Sequence, residues 1–296
     1  MCTLGICNSF GVFATHYINH IYPEESAADI AWIGTMLSGM GGILLSELSQ
    51  KLMVSVGHQW ALRVLALVVF CVSGASGALY RRRLPALQGG VRFVAIARDH
   101  RLVAIGVAGF FVNIGYYVPW YYLPTAALKA GQTSQAANSL VVYMNAGSTA
   151  GRILVAYATR FVGPINSMVV AHIACSALIP VAMLAARHMA SYAALAVTYG
   201  MLSASSMSVV PIILADTFGL HATTTAVGIV NSWCAMGVLV GNPSQGAIYQ
   251  KYDRPRDSFT LISAWGFAGI FLAACSYLYL KVATIRGTTR RLWSVL

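Results

Sequence analysis

Long apolar runs separated by short polar segments dominate the chain, and their lengths match helices that cross a membrane. A helix needs about 20 apolar residues to cross a hydrocarbon core about 30 Å thick. The clearest run, 102–128, contains 27 residues and no formal charge. In a longer uncharged run we expect a span that begins near residue 222, followed by an irregular glycine- and proline-containing segment at 241–246. The other clear spans are predicted at positions 64–80, 140–160, 161–186, 189–215 and 258–280, which makes seven.

Two weaker runs precede these spans and leave the number of crossings open. Residues 1–23 carry no formal charge but include several polar side chains, and residues 30–46 are uncharged and rich in glycine. The second run has 17 residues, which is near the minimum for a span. If both runs cross, the chain has nine spans and its ends lie on opposite faces. If the first run lies on the surface, the chain has eight.

A basic segment at 81–101 sets the orientation of every span. Short loops beside spans keep lysine and arginine in the cytoplasm, because translocating these charges is costly. We therefore predict that this segment is a cytoplasmic loop, and that the tail 281–296 lies on the same side. The segment has a single acidic residue, Asp99, against six arginines, Arg81, Arg82, Arg83, Arg92, Arg98 and Arg101.

Composition supports a membrane protein and excludes several classes of function. Of 296 residues, 58% are hydrophobic and 9% are charged, whereas about a quarter of a soluble domain is charged. The net charge of +11 is spread between apolar runs and forms no basic stripe, so we expect no nucleic-acid partner. The chain has neither a phosphate-binding G-x-x-x-x-G-K-[ST] loop nor an H-E-x-x-H zinc pair. We therefore expect neither an enzyme nor a bound metal or cofactor.

Arg152 is the one formal charge deep inside a predicted span. Asn145, Ser148 and Thr149 precede it at spacings that place all four side chains on one helical face. A guanidinium can bind a carboxylate through two parallel hydrogen bonds, so this face is a candidate substrate site. The alternative is a structural arginine that bonds to neighbouring carbonyls or extends toward the inner surface.

A second polar face lies on the preceding span, where Asn113 and Tyr116 are deep enough to line a substrate cavity. We expect Trp120 to anchor the outer interface, where tryptophan and tyrosine are common. Pro119 and Pro124 are expected to break, kink or end that helix. Two small-residue pairs, 147/151 and 237/241, permit close helix packing. No predicted span contains Asp or Glu, so the chain offers no intramembrane carboxylate for ion coupling.

Several stretches resemble the monocarboxylate-transporter-like, fungal-type branch of the major facilitator superfamily. They follow the order expected for that family and cover most of the chain. The similar stretches are SFGVFATHY at 9–17, ADIAWIGT at 28–35, GHQWALRVLAL at 57–67, VPWYYLPTAA at 118–127, NAGSTAGRI at 145–153, TRFVGPIN at 159–166 and GNPSQGAI at 241–248.

The resemblance implies a major facilitator fold with a complete C-terminal bundle of six helices, residues 102–280, and an incomplete N-terminal bundle. Residues 1–80 resemble spans 1, 5 and 6 of the family, and spans 2 to 4 are missing at a junction near Met36. The family has twelve spans, and its two bundles move against each other around a central site. A chain without three of these spans is therefore either a transporter shortened by an error in its gene model or a truncated protein.

The resemblance also implies what the chain binds and where it acts. Arg152 matches the family's intramembrane arginine, which binds the substrate carboxylate, and Asn145, Ser148, Asn113 and Tyr116 line the path. Ser148 stands where animal members carry an acidic residue. We expect a secondary transporter that moves a small organic acid or related metabolite across the plasma membrane. The alternative is an inactive or regulatory fragment without transport activity.

Overall fold

The computed structural model describes residues 48, 51–52, 55–79, 93–253 and 258–295. All regular structure in these residues is helical, which confirms the all-α prediction. The two N-terminal runs, the junction near Met36 and most of the basic loop lie outside the described residues. The helices are α1 (Gly57–Leu79), α2 (Phe93–Ala97), α3 (His100–Lys129), α4 (Ser134–Val162), α5 (Pro164–Pro180), α6 (Met189–Ser203), α7 (Ser205–Phe218), α8 (Leu220–Ile248) and α9 (Thr260–Val295).

Five helical segments in the described residues are long and apolar enough to cross a membrane. The α5 helix continues as a π-helical turn, and so does α8. Helix α4 has 29 residues but is more polar, and it is not among the five. The complete six-helix bundle therefore remains a prediction, while the multi-pass membrane class is supported. The five segments are His100–Lys129, Pro164–Ala185, Met189–Phe218, Ala222–Asp253 and Thr260–Ile285.

Helix α3 occupies the centre of the bundle and packs against α8 and α9, while α4 packs against α6 and α5 packs against α9. Two apolar clusters lie along α3. The cluster at its N-terminal end includes Leu102, Ile105 and Leu280. The cluster at its C-terminal end includes Leu123, Leu140 and Ile179. Tyr116, in the middle of α3, packs against the cluster at the N-terminal end.

The start of α3 is held by Asp99, whose carboxylate accepts a hydrogen bond from the Arg101 backbone N–H at 2.8 Å. The Arg101 guanidinium also donates to this carboxylate at 2.9 Å. Burial by itself would raise the pKa of Asp99, but the hydrogen bonds and charge of Arg101 outweigh burial and lower it. Asp99 therefore caps the helix as an anion, the charge that a helix N-terminus favours.

Two expected interruptions are absent from the helices that the structure describes. Helix α3 contains Pro119 and Pro124 but continues to Lys129. The expected irregular segment 241–246 is also wrong, because α8 remains helical to Ile248. Close packing explains the second result: the Gln245 side-chain amide donates to the Ile114 carbonyl at 2.9 Å and holds α8 against α3. Proline is tolerated in spans where neighbouring helices hold the backbone.

Candidate functional site

The arginine predicted to bind substrate lies near the middle of α4. Arg152 is four residues beyond the midpoint of the helix, or about 6 Å along its axis at about 1.5 Å per residue. Its side chain is partly buried, and Nη2 lies 3.6 Å from the sulfur of Met207 on α7. The guanidinium is therefore directed at the start of α7, between helices.

Glycines on α4 bring this arginine close to its neighbours. A Cβ atom on Gly147 would lie 2.9 Å from the Val197 Cα, and one on Gly151 would lie 2.5 Å from the Met201 Cα. The predicted close packing at these two glycines is confirmed, because only hydrogen fits between the backbones of α4 and α6. Arg152 follows Gly151 directly, so the same approach places it beside the end of α6.

The structure brings Tyr116 of α3 to the same place. Its hydroxyl lies near the Ser203 side chain and within electrostatic range of the Arg152 guanidinium. The Tyr199 hydroxyl donates to the Tyr116 backbone carbonyl at 2.7 Å, which fixes α6 against α3. Two of the predicted site residues, Arg152 and Tyr116, therefore meet across three helices.

The site lies beside a break in the predicted span 189–215. The helix stops at Ser203 and resumes at Ser205, and the Met207 N–H bonds to the Ala204 carbonyl three residues earlier at 3.2 Å. Pro211 offers no N–H to the Met207 carbonyl, which loosens the next turn as well. The predicted span 189–215 is confirmed as one apolar segment, Met189–Phe218. Within it the helix is interrupted only at Ala204, which keeps right-handed helical φ and ψ angles of −70° and −14°. The signal for the break was the serine-rich stretch ahead of a proline.

A buried histidine holds the second half of the broken span. His172 of α5 is 3% exposed. Its Nδ1 lies 2.7 Å from the Met168 carbonyl and its Nε2 lies 3.0 Å from the Ser206 hydroxyl. Because a carbonyl can only accept, Nδ1 carries the proton of the neutral ring and Nε2 accepts from Ser206. His172 is not among the site residues predicted from the sequence.

The other predicted site residues divide between two faces. Asn145 and Ser148 lie on the face of α4 that carries Arg152, since α4 is one continuous helix. The Asn145 amide donates to the Val141 carbonyl at 3.0 Å, and Ser148 is 7% exposed. Asn113 instead faces α8: its side-chain amide donates to the Gly109 carbonyl at 2.8 Å, beside Cys234, and its Cβ limits the space at Gly237. This contact confirms close packing at Gly237.

The expectation that Trp120 anchors the outer interface is wrong. Its ring stacks on Tyr116, with centroids 6.0 Å apart and planes 24° apart. The indole nitrogen is buried and has no hydrogen-bond partner among the described residues. An interface anchor would direct this N–H to the headgroups.

Two buried amides on α8 are further polar groups that were not predicted from the sequence. Gln245 is fully buried, and its side-chain oxygen has no hydrogen-bond partner in the described part of the chain. The side-chain oxygen of Asn242, one turn earlier, is also buried and has no hydrogen-bond partner among the described residues. Within the described ranges, no group of three or more His, Cys, Asp or Glu side chains could hold a metal ion.

Sequence comparisons place the chain among transport proteins. No family model matches it. The aspyridones efflux protein apdF of Emericella nidulans is 24% identical over 341 residues, covering 85% of this chain and 70% of that protein. The MFS-type transporter pytF of Aspergillus terreus is 33% identical over 128 residues, covering 41% of this chain and 43% of that protein. The agnestins efflux protein AgnL12 of Paecilomyces divaricatus is 23% identical over 227 residues, covering 74% of this chain and 52% of that protein.

The chain is thus a multi-pass membrane protein with distant homology to fungal MFS transporters, and its homologues are transporters and not enzymes. It spans about half the length of several of these curated relatives. The alignment with the aspyridones efflux protein covers 341 positions, more than the 296 residues of the chain. That relative therefore has residues within the aligned region that this chain lacks.

Proposed function

We propose that the chain is a secondary transporter of the MFS type that exports a small acidic organic metabolite, and that Arg152 binds its acidic group. The observation that carries this proposal is the position of Arg152. It lies near the middle of its helix, beside Tyr116 and beside the break between α6 and α7. Discontinuous helices near the bilayer midplane commonly frame the substrate sites of transporters.

The chemistry of the site favours an anion. A guanidinium stays charged and presents donors in a planar fork that matches a carboxylate. In a medium of low dielectric constant, its attraction to an anion is stronger than in water. Asn145 and Ser148 extend the same face of α4, whereas Asn113 faces α8 and is not part of the proposed anion site. The resemblance to monocarboxylate transporters suggests the acidic group, and the names of two relatives, efflux proteins for aspyridones and agnestins, suggest export of a metabolite. We propose the plasma membrane as the site of export.

The test uses the full chain purified in detergent and two labelled monocarboxylates with one carbon skeleton, 2-naphthoate and its saturated form, decahydronaphthalene-2-carboxylate. We expect binding of at least one acid. Arg152→Gln should weaken it at least about tenfold, because a hydrogen bond to a charged group contributes about 1.5–3 kcal/mol. Arg152→Lys should restore part of the affinity, since it keeps the charge but loses the fork.

Arg160→Gln is the matched control, because it removes the same charge from the exposed end of the same helix. Its affinity should equal that of the wild type. Equal losses in the two glutamine variants would show a general charge effect and contradict the proposed role of Arg152. Exchange of labelled for unlabelled acid across proteoliposomes then separates transport from binding, with empty liposomes as the blank.

The alternative is a truncated protein that does not transport, and the partial coverage of its relatives favours this reading. Such a fragment would fold in the membrane without exchange across proteoliposomes. Anion binding without exchange would show that the site is intact and that the chain lacks the second bundle needed for alternating access.

A further inference from the structure

An aromatic pair extends the arginine site toward the outer end of α3. Tyr116 lies within electrostatic range of Arg152 and stacks on Trp120 at 6.0 Å between ring centroids. Both rings are partly exposed, and both come from one helix on the same face, four residues apart. An acidic group on Arg152 would therefore have a continuous aromatic surface beside it.

Trp120 also carries a hydrogen-bond donor without an acceptor. Its indole nitrogen is inaccessible to solvent and has no partner among the described residues. Leaving a buried donor unpaired is costly, so such groups call for an explanation. A ligand oxygen would supply the missing acceptor, after the kind of rotamer change that often accompanies binding.

We propose that this site selects planar, conjugated acids over saturated acids of the same size. The acidic group binds to Arg152 and the ring system packs against Tyr116 and Trp120. An oxygen substituent on the ring system accepts a hydrogen bond from the indole N–H. This inference rests on the proposed function and names its substrate class. It goes beyond anion binding, since Arg152 alone does not distinguish an aromatic acid from an aliphatic one.

The geometry restricts how such a ligand lies. Rings stack about 3.5–4.0 Å apart at their van der Waals separation, so centroids 6.0 Å apart leave no room for a third ring between Tyr116 and Trp120. The ligand therefore lies over the faces and edges of the pair. Met207, which contacts Arg152, adds a polarizable thioether at the acidic end of the site.

The experiment measures equilibrium binding of 2-naphthoate and decahydronaphthalene-2-carboxylate to the full chain in detergent. We expect the planar acid to bind about 3- to 10-fold more tightly, because an aromatic contact contributes about 0.5–1.5 kcal/mol beyond burial. Trp120→Leu should remove this preference, so that the two acids bind with equal affinity. Trp120→Phe should keep the preference for 2-naphthoate, which has no ring oxygen.

A third probe tests the indole N–H. The wild type should bind 6-acetyl-2-naphthoate more tightly than 2-naphthoate, and Trp120→Phe should lose that gain. Trp265→Phe is the control, because it removes another buried indole N–H without a partner among the described residues, on α9. Tyr121→Leu is the control for ring loss, since that ring is 52% exposed.

The outcomes separate the two proposals. If both acids bind with equal affinity and both are lost in Arg152→Gln, the anion site stands and the aromatic inference is overturned. The aromatic inference is also overturned if Tyr121→Leu abolishes the preference as fully as Trp120→Leu. If neither acid binds to the folded wild type, the proposed function fails first, and the inference fails with it.

Discussion

Replacing Gly151 by alanine tests how α4 and α6 meet, and with it the position of Arg152. A methyl group at this position would lie 2.5 Å from the Met201 Cα and 2.6 Å from its carbonyl carbon, whereas ordinary contact begins at 3.4 Å. The colliding atoms belong to the backbone and cannot rotate away. The helices must therefore separate by roughly 1 Å, a gap that forfeits a quarter to a half of each dispersion contact.

Two effects of opposite sign determine how far Gly151→Ala changes the free energy of unfolding. Alanine is a better helix former than glycine by about 0.5–1 kcal/mol. Overpacking costs about 1–3 kcal/mol, and helices in a membrane associate largely through van der Waals contact. We expect a net loss of about 1–2 kcal/mol for Gly151→Ala. Anion binding should weaken as well, because Arg152 moves with the displaced backbone.

The assay is thermal unfolding of the purified chain in detergent, with Gly228→Ala on α8 as the matched control. A Cβ on Gly228 would meet nothing within 4 Å, so this variant keeps the propensity gain without the collision. Gly151→Ala should unfold at a lower temperature than the wild type, and Gly228→Ala at the same or a higher one. Equal unfolding temperatures for the two variants would refute the close approach of α4 and α6.

Three further substitutions test separate parts of the fold. His172→Phe should lower the free energy of unfolding by about 1–3 kcal/mol, since the ring loses its bonds to Met168 and Ser206; wild-type stability in urea would contradict this. Asp253 accepts from the N–H groups of Leu261 and Ile262 at the start of α9, so Asp253→Ala should cost about 1 kcal/mol in the same titration. The pKa of Asp99 in the folded protein lies below its usual 3.8. The stabilisation of the fold by the charged Asp99 carboxylate is therefore complete above pH 3.8 and is lost as the pH falls through the lower pKa of the folded state. Between pH 7 and pH 3 the melting temperature should therefore fall more for the wild type than for Asp99→Asn, and parallel curves would count against this linkage.

The middle of the described bundle is a polar layer between two apolar clusters. Tyr116, Ser203 and Arg152 meet there across three helices, and His172 ties the next half-helix to α5. Such groups are expensive in a bilayer unless they are paired or face a cavity. Their concentration at one depth, beside the break between α6 and α7, is the main structural support for a substrate site.

Hydrophobic patterning alone was sufficient to predict the membrane class, the all-helical fold and the approximate bounds of five of the seven predicted spans. These features depend on chain length and on local transfer free energies, which are properties of each segment by itself. The same reasoning identified Arg152, because a charge within an apolar run is conspicuous without any knowledge of its neighbours. The close packing at Gly151 was also predictable from local spacing.

Only the tertiary structure decided how these helices use their polar groups. Trp120 turned inward because Tyr116 provides a stacking surface, and Asn113 turned to α8 because Gly237 leaves space beside it. Helix α8 stayed continuous through Pro243 because α3 supports it, while the helix was interrupted at Ala204, two residues before Ser206 bonds to His172 of α5. In each case the deciding partner lies on another helix, so no local pattern contains the answer.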